Sequence, residues 1–148
     1  MSHDMSEAGW SPQGPVIELS DQASLDLLAS KSFGHLALSN EGRPDIFPVN
    51  YYCDKKTILF RTASGSKLHE LTENMHVAFE VDVKTPDDVW SVVARGLATV
   101  LDDASQVSAQ ALKTLPDWVP VESFVYILIE PESIRGRLFE RRLAIGHS

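Results

Sequence analysis

A chain of 148 residues, 43% hydrophobic and 23% charged, has the composition of one soluble globular domain. No apolar run approaches the roughly 20 residues that cross a bilayer as a helix. The net charge of −8 lacks the concentrated cationic face that nucleic-acid backbones require. The single cysteine, Cys53, excludes an internal disulfide and a cysteine-based zinc site, and its neighbours Tyr51 and Tyr52 place it on a strand as a packing residue.

In chain order, residues 1–15 read as a flexible arm. They are polar and carry Pro and Gly, without the basic start and apolar stretch of an export signal, so a cytoplasmic location is expected. Residues 16–148 are expected to form a single domain. Ser20 offers a helix cap, followed by early acids and the Leu25/Leu28 spacing of one helical face, which predicts a helix over 20–30. Strand character then recurs over 34–39, 44–53, 57–62, 77–82, 89–101 and 123–130, six segments in all. Asn40-Glu41-Gly42-Arg43 and Asp54-Lys55-Lys56 are tight turns that make the first three an antiparallel meander. A second helix is expected from Lys67 onward and a third over 105–115, ended by Pro116. Asp82, Asp87 and Asp88 around Pro86 read as a solvated loop.

Mostly antiparallel strands in so short a chain predict a six-stranded barrel closed on itself, which removes exposed sheet edges. Val89-Trp90-Ser91-Val92-Val93 and Phe124-Val125-Tyr126-Ile127-Leu128-Ile129 carry apolar side chains on both strand faces instead of alternating. One face points into the barrel, and a second copy of the chain is the economical cover for the other. A homodimer is therefore expected.

The segment with most chemistry is Phe60-Arg61-Thr62-Ala63-Ser64-Gly65-Ser66-Lys67-Leu68, a strand end that passes through small hydroxyl residues into a helix start with a cation. Free backbone N–H groups, hydroxyls and an ammonium together suit a phosphate. Thr62 and Lys67 are the leading ligands. Ser64 and Ser66 are further donors, or simply the helix cap. Arg61 neighbours Thr62 and should face the opposite way, unless a twist or bulge at the strand end brings both round. Asn50, an amide in an apolar strand, needs partners that a ligand edge or the backbone can supply. Trp90 suits either ring stacking or interface packing. His35, His69 and His76 show no metal-ligand spacing, and no serine sits in a nucleophile-elbow pattern, so neither a metal centre nor a hydrolase is expected.

Pro48-Val49-Asn50-Tyr51, then Ile58 to Thr62, then Gly65-Ser66-Lys67-Leu68, resembles the pyridoxamine 5'-phosphate oxidase-like family of FMN-binding split β-barrels, over residues 20–139. The resemblance implies that the strand with Pro48, Val49, Asn50 and Tyr51 lies along the isoalloxazine, and that Thr62 and Lys67 hold the phosphate end. It also implies that the strand with Trp90 and Ser91 lies at a dimer interface where each subunit touches the other's flavin, and that Ile134 to Phe139 is a terminal strand ending beside the cofactor. Ser66 stands where full-length oxidases carry arginine, and the longer C-terminal part that recognises their vitamin B6 substrate has no counterpart. The implied function is an FMN-dependent oxidoreductase acting on some other small organic molecule. Its catalytic residues stay unassigned, because the flavin carries the chemistry. A deazaflavin in place of FMN, and a non-catalytic flavin or haem module, are the alternatives.

Overall fold

Strand-forming runs dominate the computed structural model, which describes residues 12–54, 56–63, 68, 75–101, 107, 111 and 124–141. Among the described residues the order is β1 (Pro12–Leu19), α1 (Asp21–Ala29), β2 (Phe33–Asn40), β3 (Arg43–Cys53), β4 (Ile58–Ala63), β5 (Met75–Lys84), β6 (Asp88–Leu101) and β7 (Phe124–Arg141). The expected mainly-β class and antiparallel pairing hold. A six-stranded ring runs β7-β4-β3-β2-β5-β6 and closes through β6 on β7. A seventh strand, β1, lies outside the ring against the second half of β7.

That seventh strand begins at Pro12, within the stretch that the sequence reads as an arm. Its pairing partners are 117 or more positions away, from Leu19 opposite Gly136 to Pro12 opposite Arg141, so local sequence carries no sign of them. The helices expected from Lys67 and over 105–115 lie outside the described residues, except for Leu68, Val107 and Ala111.

Local chemistry accounts for the first hairpins. Glu41 and Gly42, at φ 52° and 79°, occupy the left-handed region that a two-residue hairpin between Asn40 and Arg43 needs. Asp54 organises the next turn, where its Oδ1 accepts from the backbone N–H of Lys56 at 2.9 Å and of Thr57 at 2.7 Å. Partial burial pulls the Asp54 pKa upward, but those hydrogen bonds win and hold it below the usual carboxylate range. Ahead of α1, Ser20 caps the helix by accepting from the Ala23 N–H at 3.1 Å.

β7 is the strand on which the ring closes. Its first half pairs with β4 on one side, its second half with β1, and β6 runs along the other side over nearly its whole length. The sequence reading ends this strand at residue 130 and takes Ile134 to Phe139 as a separate terminal strand, but Pro131 does not divide them. The chain continues because a bulge absorbs the proline: Arg95 faces Ser133, Gly96 faces Pro131, and Glu132 is the extra residue. At Gly96 the backbones approach so closely that an added Cβ would run into the Glu130 carbonyl. Gly136 plays a similar part for α1, since a Cβ there would meet the fully buried Ser24.

The barrel interior holds Leu36, Val49, Tyr51, Ile58, Phe60, Phe79, Val92, Ile127 and Ile129, with Leu28 of α1 completing it. Tyr51 is 1% exposed, its ring edge-to-face with Phe79 at 4.8 Å, and its hydroxyl donates to the Leu28 carbonyl at 2.5 Å. A smaller cluster outside the ring joins Leu59, Tyr52, Leu101, Tyr126 and Leu128 to Val107 and Ala111. The outer face of β4 and the start of β7 is thus covered in part by this chain's own Val107 and Ala111.

Two substitutions test this construction. Gly96→Ala forces β6 and β7 apart at the bulge and should cost about 1–3 kcal/mol in urea unfolding, as overpacking does elsewhere. Tyr51→Phe should cost about 0.5–1.5 kcal/mol by removing one buried hydrogen bond to the Leu28 carbonyl, which still accepts from the Lys31 N–H. Burial raises the Tyr51 pKa above its usual 10.0. The unfolded chain therefore loses this proton first as pH rises, and the wild type should lose stability above pH 10 more steeply than Tyr51→Phe does.

Candidate functional site

Pairing geometry opens the ring at one place. β3 pairs with β2 over eight residues, from Arg43 to Asn50, and β4 pairs with β7 over all six of its residues. Yet β3 and β4 pair with each other only through Tyr51, Tyr52 and Cys53 opposite Phe60, Leu59 and Ile58. Beyond Tyr51 and Phe60 the strands part. Pro48, Val49 and Asn50 form one lip of that parting, and Arg61 and Thr62 the other. Backbone N–H groups alternate in direction along a strand. The N–H of Tyr51 donates to Ser32 on the β2 side at 2.9 Å, so that of Asn50 points to the parting.

Strand alternation sorts the side chains at the lips. Val49 and Tyr51 belong to the barrel interior, whereas Pro48 is exposed and Asn50 half-buried on the outer face. On β4, Ile58 and Phe60 point inward and Leu59 outward, which puts Thr62 on the inner side and Arg61 on the outer side. The Arg61 guanidinium lies over the Phe124 ring, 4.4 Å from its centroid, and is half-buried there.

The register across β3, β2, β5 and β6 extends the outer face as a set of rows. One row reads Pro48, His35, Glu80, Val93, and continues to Arg135 on β7. The next reads Ile46, Ala37, Ala78, Arg95 and Ser133. On the other side, Asn50 stands opposite Phe33, and Asp82 opposite Ser91. Small side chains leave an open groove of about 490 Å³ in the second row, lined by Ala37, Ala78, Arg95 and Ser133 among others. Large apolar side chains also lie bare on this face: Phe33 is 52% exposed, Ile46 62% and Leu97 39%.

The face has a polar centre that the sequence reading missed. His35 Nδ1 lies 3.7 Å from Glu80 Oε1, and Glu80 is hydrogen-bonded to Asp82, two residues along the same strand face. Burial first, and then the hydrogen bond and negative charge of Asp82, push the Glu80 carboxyl up to about 7. The signal in the sequence was the acid at every second position, Glu80 and Asp82, in an otherwise apolar strand. Asp82 does not belong to the loop around Pro86, because β5 runs on to Lys84. Asp88 does shape that turn, its carboxylate accepting from the Thr85 hydroxyl at 2.8 Å.

Of the candidate residues, the fold brings Pro48, Asn50 and Ser91 onto one outer face, with Arg61 across the parting. Trp90 is 9% exposed and packs in the barrel interior beside Val92. Ser64, Ser66 and Lys67 lie outside the described residues, and Leu68, which follows them, packs against the core.

A ring of antiparallel strands that parts at one seam defines the split-barrel class. Residues 20–138 match the family described as pyridoxamine 5'-phosphate oxidase, and the chain belongs to that family. An uncharacterised Mycobacterium tuberculosis protein, Rv0080, is 33% identical over 135 residues, covering 85% of this chain and 88% of that one. The crystal structure of a candidate pyridoxamine 5'-phosphate oxidase from Corynebacterium glutamicum superposes with a TM-score of 0.75 at 36% identity, covering 85% of this chain and 99% of that one. The FAD-binding protein of Mycobacterium smegmatis gives the same TM-score, 0.75, at 33% identity, with 84% and 98% covered. No helix among the described residues is long and apolar enough to cross a membrane.

Trp90→Ala should cost about 3–5 kcal/mol of stability, the scale of emptying a buried tryptophan site. Ser91→Ala, on the outer face, should leave the unfolding midpoint nearly unchanged.

Proposed function

We propose that this chain binds a flavin at the seam where β3 and β4 part, and uses it as an oxidoreductase on a small organic molecule. The observation that carries this reading is the position of the lips: Pro48 and Asn50 on one side and Arg61 and Thr62 on the other, in a fold shared at 33% identity with a FAD-binding protein. The residues present suit the group. Asn50 offers an amide side chain and a backbone N–H toward the seam, and the edge of a flavin ring has both donors and acceptors. Arg61 brings a cation to the end of the strand that leads to Ser64, Ser66 and Lys67, the residues proposed to hold the phosphate.

When bound, the flavin supplies reversible storage of hydride and electrons. The protein then has to bind, orient and shield it. A planar ring laid against the outer face of an open sheet keeps one side on solvent. In this reading a second copy of the chain covers it, docking on the face that bears Phe33, Ile46 and Leu97 and carrying Ser91 into contact with the partner's cofactor. FMN is the proposed form, because the phosphate ligands read from the sequence fall within six consecutive positions, 62–67. FAD is the second reading, favoured by the Mycobacterium smegmatis relative.

Absorbance and mass spectrometry of the purified protein test the proposal. A yellow protein releasing FMN is expected, and release of FAD would select the second reading. Colourless protein that binds neither flavin nor deazaflavin would overturn both. Lys67→Ala should weaken FMN binding by about 1.5–3 kcal/mol, the scale of one charged hydrogen bond, in a fluorescence titration.

A further inference from the structure

The outer face proposed to receive a second copy has a carboxyl pair at its centre. Glu80 and Asp82 project from the same side of β5 and share a hydrogen bond, while apolar Phe33, Ile46, Val93 and Leu97 lie on the surrounding strands. The Glu80 side chain retains 32% exposure, so water still reaches it in the single chain. Closing the face removes that water.

The charged groups that could offset the loss can be named strand by strand. On β2, His35 is 3.7 Å from Glu80. On β5, Lys84 follows Asp82 on the same face by alternation, and is exposed. On β6, the residues directly opposite Glu80 and Asp82 are the uncharged Val93 and Ser91, and Arg95 stands a row away, opposite Ala78. On β7, Arg135 is already held by Glu18, with an N–O distance of 3.0 Å. No cation among these stands directly opposite both carboxyls. Two carboxylates enclosed together, with His35 beside Glu80 alone, keep one proton between them, because ionising both in a dry site is costlier than binding a proton.

We propose that closure of the homodimer is proton-linked through Glu80: the second copy docks when Glu80 carries a proton shared with Asp82, and the face opens when that proton is lost. The inference rests on the homodimer in the function proposed above and adds a regulation to it. Association takes up to two protons from solvent, one per Glu80, and dissociation returns them. The sign follows from that uptake. Glu80 in the single chain titrates near 7, and covering it raises this further. The docked state then binds more protons, so association is favoured on the acid side and weakens as pH rises through the shifted range. Because the cofactor is enclosed by the same closure, flavin affinity should follow the same trend.

Sedimentation velocity of the full chain at pH 6.5, 7.5 and 8.5 and constant ionic strength tests this directly. The wild-type dimer dissociation constant should rise at least about tenfold across the range, against a limit of about a hundredfold per pH unit for two linked protons. Glu80→Gln, which mimics the protonated carboxyl and keeps its hydrogen-bonding shape, should remove most of the dependence. Asp82→Asn should move it to lower pH. A wild-type dimer indifferent to pH, or a Glu80→Gln protein as pH-dependent as the wild type, overturns the inference and leaves the flavin reading standing. Tighter association with rising pH would also overturn it, because ionised Glu80 would then be meeting a cation such as Arg95 of the other copy. A flavin-loaded protein that stays monomeric at every pH overturns the homodimer itself, and this linkage with it.

Discussion

The close approach of β6 and β7 at Gly96 is the constraint on which the rest of the ring depends. With no side chain at Gly96, the β6 backbone can lie against the Glu130 carbonyl, and the bulge at Glu132 lets β7 continue past Pro131. One strand of 18 residues can then serve three neighbours in turn. Its first half takes one edge of β4 along its full length, while the other edge of β4 meets β3 through only three residues. The seam is the unpaired part of that second edge, beyond Tyr51 and Phe60. The candidate site thus lies where the ring's pairing is shortest among the described residues.

The two sides of the sheet divide the work. Inside, Tyr51, Phe60, Phe79 and Ile127 fill the barrel, and the buried Tyr51 hydroxyl finds the Leu28 carbonyl at the end of α1, tying the helix to the core. Outside, coverage is uneven. Val107 and Ala111 shield β4 and the start of β7, while the face of β2, β3, β5 and β6 keeps Phe33, Ile46 and Leu97 bare. That asymmetry narrows the expectation of a covering copy to one face. It also places Pro48, Asn50 and Ser91 on the face where a copy would dock.

The residues that carry chemistry in this arrangement are few, as suits a protein proposed to bind a group that brings its own reactivity. What the chain contributes is a shaped seam, a polar lip and a sheet face with carboxyls at its centre. Glu80 is unusual in that setting, because a half-buried acid beside a second carboxyl holds its proton more tightly than an exposed one. Its position among Phe33, His35 and Val93 comes from register alone.

Local sequence was enough for the features that depend on near neighbours. The cap at Ser20, the left-handed turn at Glu41 and Gly42, and the alternation along β2 and β3 are all set within a few residues, and the strand-rich, antiparallel character follows from them. The resemblance carried by Pro48 to Lys67 named the family before any coordinate did. Long-range pairing decided the remainder. β1 exists because β7 offers it an edge, β7 outlasts Pro131 because Gly96 lies opposite, and Trp90 turns inward because register sets it between Val83 of β5 and Leu138 of β7, both packed on the core. The His35, Glu80 and Asp82 group stayed hidden for the same reason: hydrogen-bonded register brings together positions some 45 residues apart, and no periodicity within one strand records which residue will stand across from it.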